Sequence, residues 1–131
     1  MDTEKKNILI VEDEYDLRES YKELVATAGF NVLLAEDGYK GLDCLARNVG
    51  QIDLVLLDLM MPGVDGLEVL RVVNDNHDKY GEMPIIVLTN MTSDKVIQSA
   101  FDLGASSYLV KADVDYDGLR KELEKYLGTR R

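Results

Sequence analysis

The chain has 131 residues, a length at which one domain can build a core that needs no disulfide or metal to stabilise it. Apolar residues make up 46% of it and charged residues 31%, which excludes a disordered chain. Fifteen basic and 25 acidic residues give a net charge of −10, and because phosphate backbones repel so acidic a surface, we expect no direct binding to nucleic acid.

Nothing in the sequence predicts contact with a membrane. The single cysteine, Cys44, cannot form an internal disulfide, and no apolar run approaches the length of about 18 residues needed to cross a bilayer. The polar residues 1–6 lead into only five apolar-rich residues, too few for a signal peptide. We therefore expect a cytoplasmic protein in which residues 1–131 form a single domain.

Five short runs rich in branched apolar residues recur along the chain and predict β-strands. The third and fourth runs are apolar at nearly every residue, a pattern typical of strands covered on both faces in a parallel sheet. The five runs are Asn7–Val11, Asn31–Ala35, residues 52–57, Ile85–Thr89 and Ser107–Val110.

Stretches with helical spacing of apolar residues separate these runs and follow the last of them. Gly29 and Gly50 stand where the first two helices would end, because glycine readily adopts the left-handed conformation that closes a helix. Asp65 is a candidate N-cap for the third helix, and Thr92 or Ser93 for the fourth. Five strand–helix units in succession predict an α/β fold, a parallel sheet with five helices on its two faces. The fifth helix has its apolar residues at Leu119, Leu123 and Leu127.

Polar side chains follow the predicted strands at their carboxyl ends. Ligands of open α/β sheets bind at this edge, at the point where the strand order reverses. With a strand order of 2-1-3-4-5, the polar side chains would lie together along that edge. They are Glu12 and Asp13 after the first strand, Asp58 after the third, Thr89 at the end of the fourth and Lys111 after the fifth.

The residue types at this edge are those of phosphoryl-transfer chemistry. Three crowded carboxylates repel one another unless a cation joins them, and a few oxygen ligands suit Mg²⁺ or Mn²⁺ rather than zinc. A metal beside a carboxylate nucleophile, with a lysine and a hydroxyl nearby, can stabilise a phosphoryl group in transit. Any one of these five polar residues could be a solvated loop residue, but that explanation fits all five positions together poorly.

The segments that contain these residues resemble the receiver domain of bacterial two-component response regulators, of the chemotaxis-regulator type. The matching segments are residues 8–14, 54–66, 84–89 and 104–111, within a resemblance that spans residues 7–127. The second is the most specific, because Asp58 is followed by Leu-Met-Met-Pro-Gly-Val-Asp-Gly. The resemblance implies a flavodoxin-like, doubly wound sheet of five parallel strands, order 2-1-3-4-5, with five helices in a three-layer sandwich.

The resemblance also implies a phosphorelay function centred on Asp58. This residue would accept a phosphoryl group from a histidine kinase or a histidine phosphotransfer protein. Glu12, Asp13, Asp58 and the backbone carbonyl of Met60 would bind Mg²⁺, or Mn²⁺ in its place. Such a domain is a switch rather than an enzyme, since it promotes only its own phosphorylation and dephosphorylation.

Three further residues take their implied roles from the same family. Lys111 would pair with the phosphoryl oxygens, and Thr89 would donate a hydrogen bond to one of them. Tyr108 would turn inward when Thr89 moves, although it could also be an ordinary strand aromatic. The surface formed by the fourth helix, fifth strand and fifth helix would then bind a downstream protein or a second copy of the chain.

Three positions depart from the usual family pattern. Glu12 stands where aspartate is more usual, and its longer side chain is expected to bind the metal through water, with Asp13 the firmer ligand. Asn90 stands where a small residue is usual and could either narrow access to the acceptor or contribute a hydrogen bond. Ala112 replaces the usual proline, and because a cis bond before alanine costs about 3–4 kcal/mol, we expect a trans Lys111–Ala112 bond.

Four other side chains carry smaller predictions. Met60 and Met91 occupy the two positions that flank the approach of water in the family, and as apolar side chains they predict slow loss of the phosphoryl group. The only histidine, His77, is expected on the surface. Cys44 is expected to be a small core side chain rather than a redox thiol.

Other function classes fit the sequence less well. An aspartyl-phosphate phosphatase would have a second acid where Met60 stands, and a flavodoxin-like cofactor module would need a phosphate-binding loop where residues 12–14 are all acidic. A pseudo-receiver, an interaction module without phosphorylation, would have lost Asp58, Asp13 or Lys111, and all are present. The kinase, the output, the oligomeric state and any link to a longer protein stay open.

Overall fold

The structure, a computed structural model, describes residue 2 and residues 4–128. Residues 1, 3 and 129–131, which the single-domain prediction includes, lie outside the described residues. The strands of the described part are β1 (Asn7–Val11), β2 (Asn31–Ala35), β3 (Leu54–Leu57), β4 (Ile85–Thr89) and β5 (Ser107–Val110). The helices there are α1 (Tyr15–Thr27), α2 (Gly38–Arg47), α3 (Gly66–Asp75), α4 (His77–Tyr80), α5 (Asp94–Asp102) and α6 (Tyr116–Leu127).

The strands form one parallel sheet in the order β2-β1-β3-β4-β5, as the sequence predicts. Every residue of β3 and β4 is buried, whereas β5 at one edge is only half-buried throughout. The strand order reverses between β1 and β3, where Val11 pairs with Leu57. Chain segments leaving β1 and β3 therefore start side by side at the carboxyl edge of the sheet.

Helices cover both faces of the sheet and make three layers. Ile10 and Leu56 point to one face, where they pack in a core with α1 and α6. Leu9 and Val55 point to the other face, where α2, α3, α4 and α5 cover them. This division follows from the alternation of side chains along a strand. The predicted flavodoxin-like α/β fold is therefore confirmed.

The number of helices differs from the prediction, which had five. The additional helix, α4, is a single turn that follows α3 directly and places Tyr80 in the core. His77 begins this turn, and its side chain is 41% exposed, 4.0 Å from Glu82. A four-residue helix is too short to show a periodic pattern of apolar residues, and most residues of this turn are polar. The sequence therefore did not predict it.

Two predicted boundaries also shift, because side chains take over backbone hydrogen bonds. The third strand begins at Leu54 instead of 52, since the carboxylate of Asp53 accepts the N–H of Asn7 at 2.7 Å. The second helix ends at Arg47, before the predicted stop at Gly50, because Asn48 leaves the helical conformation and its side chain donates to Cys44 O at 2.7 Å.

The predicted helix caps are present. The Asp65 carboxylate accepts the N–H of Glu68 at 2.9 Å, and Ser93, rather than Thr92, caps α5. The Cys44 side chain is half-buried against the core, and burial raises the pKa of its thiol. In the part of the chain that the structure describes, no helix has the length and apolarity to cross a membrane.

Candidate functional site

Backbone hydrogen bonds extend the sheet by one residue beyond the ends of β1, β3 and β5. These added residues belong to the candidate site. The N–H of Asp58 donates to Val11 O at 3.1 Å, and the N–H of Lys111 donates to Thr89 O at 2.8 Å. The residues that follow β3 and β5 are therefore held in line with the strands rather than left in mobile loops. Glu12 extends β1 in the same way, because its N–H donates to Ala35 O of β2 at 3.1 Å.

Three carboxylates meet at this edge. Glu12, Asp13 and Asp58 each have a carboxylate oxygen within 4.8 Å of the others. Glu12 and Asp58 are buried, with 2% and 5% exposure, whereas Asp13 is exposed to solvent. The cluster is thus closed toward the protein and open on the Asp13 side.

Lys111 is the cation that the protein places against these acids. Its Nζ lies 2.6 Å from Glu12 Oε1 and 3.0 Å from Asp58 Oδ2. Burial alone would lower the pKa of Lys111, but its hydrogen bonds with the two carboxylates outweigh burial and raise that pKa. The lysine is therefore charged at neutral pH.

Glu12 uses both of its carboxylate oxygens within the protein. Oε1 accepts from Lys111, and Oε2 accepts the N–H of Glu14 at 3.1 Å. Burial raises the pKa of Glu12, while the hydrogen bond from Lys111 opposes that shift. Arg18 braces the same segment from α1, since its guanidinium donates to the backbone oxygen of Glu12 at 2.9 Å.

The segment after Asp58 folds back over the Asp58 side chain. The N–H of Met60 donates to Asp58 Oδ1 at 3.2 Å, so the group of Met60 that contacts the Asp58 carboxylate is its N–H. Gly66 begins α3 directly beneath this segment, where a Cβ atom would lie 2.4 Å from Asp58 O and 2.6 Å from the Cα of Leu59. Only glycine allows this approach, a requirement that sequence reasoning missed.

Thr89 and Tyr108 lie beside the acidic cluster on β4 and β5. Thr89 is fully buried. The hydroxyl of Tyr108 donates to Met91 O at 2.7 Å, and its ring centre lies 6.4 Å from that of Phe101. Burial, with a smaller effect from Asp58, raises the pKa of Tyr108. The tyrosine thus fastens the segment after β4 to β5.

The two departures beside Thr89 and Lys111 lie against each other. Asn90 Oδ1 accepts the N–H of Ala112 at 3.0 Å, so this side chain contributes a hydrogen bond, one of the two roles that the sequence left open for it. The described residues contain no cis peptide bond, so the Lys111–Ala112 bond is trans, as expected. The sequence showed that Asn90 and Ala112 each depart from the usual family pattern, but it did not predict that they are in contact.

The donor set fits a hard divalent cation. The oxygens of Glu12 are both engaged, whereas no hydrogen bond from the described residues reaches the Asp13 carboxylate. Asp13 can therefore offer an oxygen to a cation directly, whereas Asp58, like Glu12, already accepts two hydrogen bonds, from the Met60 N–H and from Lys111. Oxygen-only ligands at a position open to solvent suit Mg²⁺.

The fold is that of a flavodoxin-like α/β domain. Its cluster of polar side chains lies at the carboxyl edge of the sheet, where the strand order reverses. The family model of the response regulator receiver domain matches residues 8–124, so the chain belongs to this family of two-component phosphorelay proteins. The resemblance seen in the sequence is therefore confirmed.

Similar proteins include longer regulators. The chain is 41% identical to the response regulator MprA of Mycobacterium sp. (strain KMS) over 104 residues, which are 79% of this chain and 43% of that protein. It is 39% identical to the transcriptional regulatory protein CpxR of Escherichia coli (strain K12), again over 104 residues, 79% of this chain and 42% of that protein. The chain thus spans less than half the length of these curated relatives.

Solved structures show the same architecture. The chemotaxis protein CheY4 of Vibrio cholerae superposes with a TM-score of 0.83 at 28% identity, covering 94% of this chain and 99% of that one. A response regulator receiver domain protein from Clostridium thermocellum gives a TM-score of 0.84 at 28% identity, covering 93% of this chain and 94% of that one.

Proposed function

We propose that this receiver domain accepts a phosphoryl group on Asp58 from a histidine kinase or a histidine phosphotransfer protein. The observation that carries the proposal is the position of Asp58. Its carboxylate lies at the switch point of the sheet, among two other carboxylates and 3.0 Å from the ammonium of Lys111. A nucleophile, a cation for the transferred group and a set of metal ligands thus meet at one point.

The reaction uses these groups in a simple way. A carboxylate oxygen of Asp58 forms a bond to the phosphorus of a phosphohistidine, the phosphorus–nitrogen bond breaks, and the histidine nitrogen keeps the bonding electrons. Lys111 exchanges Asp58 Oδ2 for a phosphoryl oxygen and stabilises the charge on the transferred group. The hydroxyl of the buried Thr89 donates to another phosphoryl oxygen after a small movement.

We propose that Asp13 and Asp58 hold Mg²⁺ directly, with the Met60 carbonyl as a further ligand and Glu12 acting through water. When bound, Mg²⁺ would neutralise the carboxylates and the incoming phosphoryl charge. The engaged oxygens of Glu12 and the open side of Asp13 support the different roles of these two acids.

We propose that phosphorylation is read out on the surface formed by α5, β5 and α6, the fourth helix, fifth strand and fifth helix of the sequence prediction. The hydrogen bond from Tyr108 to Met91 and the ladder bond from Lys111 to Thr89 link this surface to the site. A downstream protein or a second copy of the chain would bind there. The cytoplasmic location and the single-domain organisation of residues 1–131 stay predictions.

Intact-mass measurement after treatment with acetyl phosphate and Mg²⁺ tests the proposal. We expect one added phosphoryl group, absent in Asp58→Asn and retained in the matched variant Asp78→Asn, because Asp78 is an exposed acid on α4. An Asp58→Asn protein that gains the same mass would overturn the assignment of the acceptor. A wild-type protein that gains none would favour the pseudo-receiver.

A further inference from the structure

Two residues that depart from the receiver pattern contact each other in this chain. Asn90 follows β4, and Ala112 lies two residues beyond β5. Asn90 Oδ1 accepts the backbone N–H of Ala112 at 3.0 Å across a separation of 22 residues. The bond joins the segment that leaves β4 to the segment that leaves β5.

The contact depends on both substitutions together. A proline at position 112 would have no N–H to donate, and a glycine or alanine at position 90 would have no side-chain acceptor. Replacing proline by Ala112 creates a backbone donor, and Asn90 provides its acceptor within the protein. The two departures therefore have one structural explanation.

With the neighbouring ladder bond, this contact anchors Lys111 on both sides of its Cα. The N–H of Lys111 donates to Thr89 O at 2.8 Å, and the next N–H along the chain, that of Ala112, donates to Asn90. Consecutive residues at the end of β4 thus hold both peptide groups that flank Lys111. This restricts the direction in which the lysine side chain leaves the backbone, and its ammonium reaches the two buried carboxylates at 2.6 and 3.0 Å.

We propose that Asn90 is a positioning residue for phosphoryl transfer, because it holds the trans Lys111–Ala112 peptide so that the Lys111 ammonium is directed at Asp58. The inference rests on the proposed function of Asp58. Its effect is preorganisation, since a cation that is already aimed at the acceptor need not be ordered when the phosphoryl group arrives.

The surroundings of Asn90 indicate that its side chain contributes to the placement of Lys111 rather than to folding. The next residue, Met91, is held independently by the hydroxyl of Tyr108 at 2.7 Å, and Asn90 is itself exposed. Removing the Asn90 side chain therefore leaves the segment attached to β5 and the core untouched. We expect its loss to affect the placement of Lys111 and not the fold.

The kinetic test compares variants that remove the hydrogen-bond acceptor at position 90 or the N–H donor at position 112 with variants that keep both groups. Asn90→Ala is expected to slow phosphorylation by acetyl phosphate about fivefold, the size expected for one lost hydrogen bond, with unchanged Mg²⁺ affinity and a melting temperature lowered by no more than one lost hydrogen bond accounts for. Ala112→Ser keeps the N–H, and Asn76→Ala makes the same change at a distant exposed asparagine, so both should react within about twofold of wild type.

A double-mutant cycle and a spectroscopic signal complete the test. In an Ala112→Pro background, Asn90→Ala should slow the reaction no further, because the bond is already absent. In the wild-type background, Asn90→Ala should accelerate amide exchange of Ala112 and shift the ¹⁵Nζ signal of Lys111. An Asn90→Ala protein with the wild-type rate, or a slower one with both signals unchanged, would overturn the inference. A wild-type protein that is not phosphorylated would overturn the proposed function itself, which distinguishes the two failures.

Discussion

The ammonium of Lys111 lies closer to Glu12, at 2.6 Å, than to Asp58, at 3.0 Å. Lys111, which is expected to pair with the oxygens of the transferred phosphoryl group, is therefore shared between Asp58, the expected acceptor, and a carboxylate that is not. Glu12 holds Lys111 over Asp58 and, through its second oxygen, is itself held by the N–H of Glu14.

Replacing Lys111 should separate metal binding from phosphorylation. Lys111→Met removes one positive charge beside three carboxylates, so Mg²⁺ affinity should rise about tenfold, roughly 1.4 kcal/mol. Phosphorylation by acetyl phosphate should slow about a hundredfold, because the transferred group loses its cation. Titration calorimetry and intact-mass kinetics measure the two effects, with exposed Lys121→Met as the matched control. Weaker Mg²⁺ binding by Lys111→Met would contradict this account of the site.

The two acids after β1 should contribute unequally to Mg²⁺ affinity. Asp13→Asn should weaken binding more than Glu12→Gln, because the oxygens of Glu12 are engaged by Lys111 and Glu14 while Asp13 faces solvent. Titration calorimetry with Asp16→Asn as an exposed control compares them, and equal losses would show equivalent roles.

Two methionines should prolong the phosphorylated state. Met60 is 59% exposed and lines the same apolar surface cavity as Met91. Neither side chain can bind the attacking water strongly, so Met60→Asn with Met91→Glu should speed loss of phosphate about tenfold, roughly 1.4 kcal/mol of barrier. Decay of the phosphorylated mass measures the rate, and Met83→Asn is the control. An unchanged decay in the double variant would remove the methionines from the explanation.

The switch should be visible in amide exchange. Beryllofluoride at Asp58 should draw in Thr89 and alter the contact between Tyr108 and Met91, so exchange should change most across residues 90–111. Asp58→Asn treated in the same way should show no change. A response confined to α1 and α2 would refute the coupling to the α5–β5–α6 surface.

The close approach at Gly66 should make this position intolerant of any side chain. The Cβ of Gly66→Ala would lie 2.4 Å from Asp58 O, so the segment after β3 must shift, and we expect a loss of about 2 kcal/mol of unfolding free energy together with slower phosphorylation. Gly118→Ala in α6 meets only side-chain atoms at 3.1 Å or more and should be close to neutral. Urea unfolding of the two variants compares them, and equal stabilities would show that the segment adapts.

Much of the fold was determined locally, by patterns that can be read from the chain. The runs Asn7–Val11 and Ile85–Thr89 are strands with the predicted boundaries, and Asp65 caps the helix that it was expected to cap. Such features depend on side-chain periodicity and on groups a few residues apart, and the order of strands and helices then restricts the sheet to few topologies. The sequence by itself therefore determined the α/β class and the candidate residues at the carboxyl edge, with the family resemblance supplying the strand order.

Only the tertiary structure decided which of those residues touch. Lys111 and Glu12 are 99 residues apart, and their 2.6 Å contact depends on the register of four strands and on the burial of both side chains beside Asp58. The same holds for the contact between Asn90 and Ala112, for the approach of Gly66 to Asp58 and for the one-turn helix α4. Periodicity carries no information on distances across a sheet, because these are set by how the layers pack around the core.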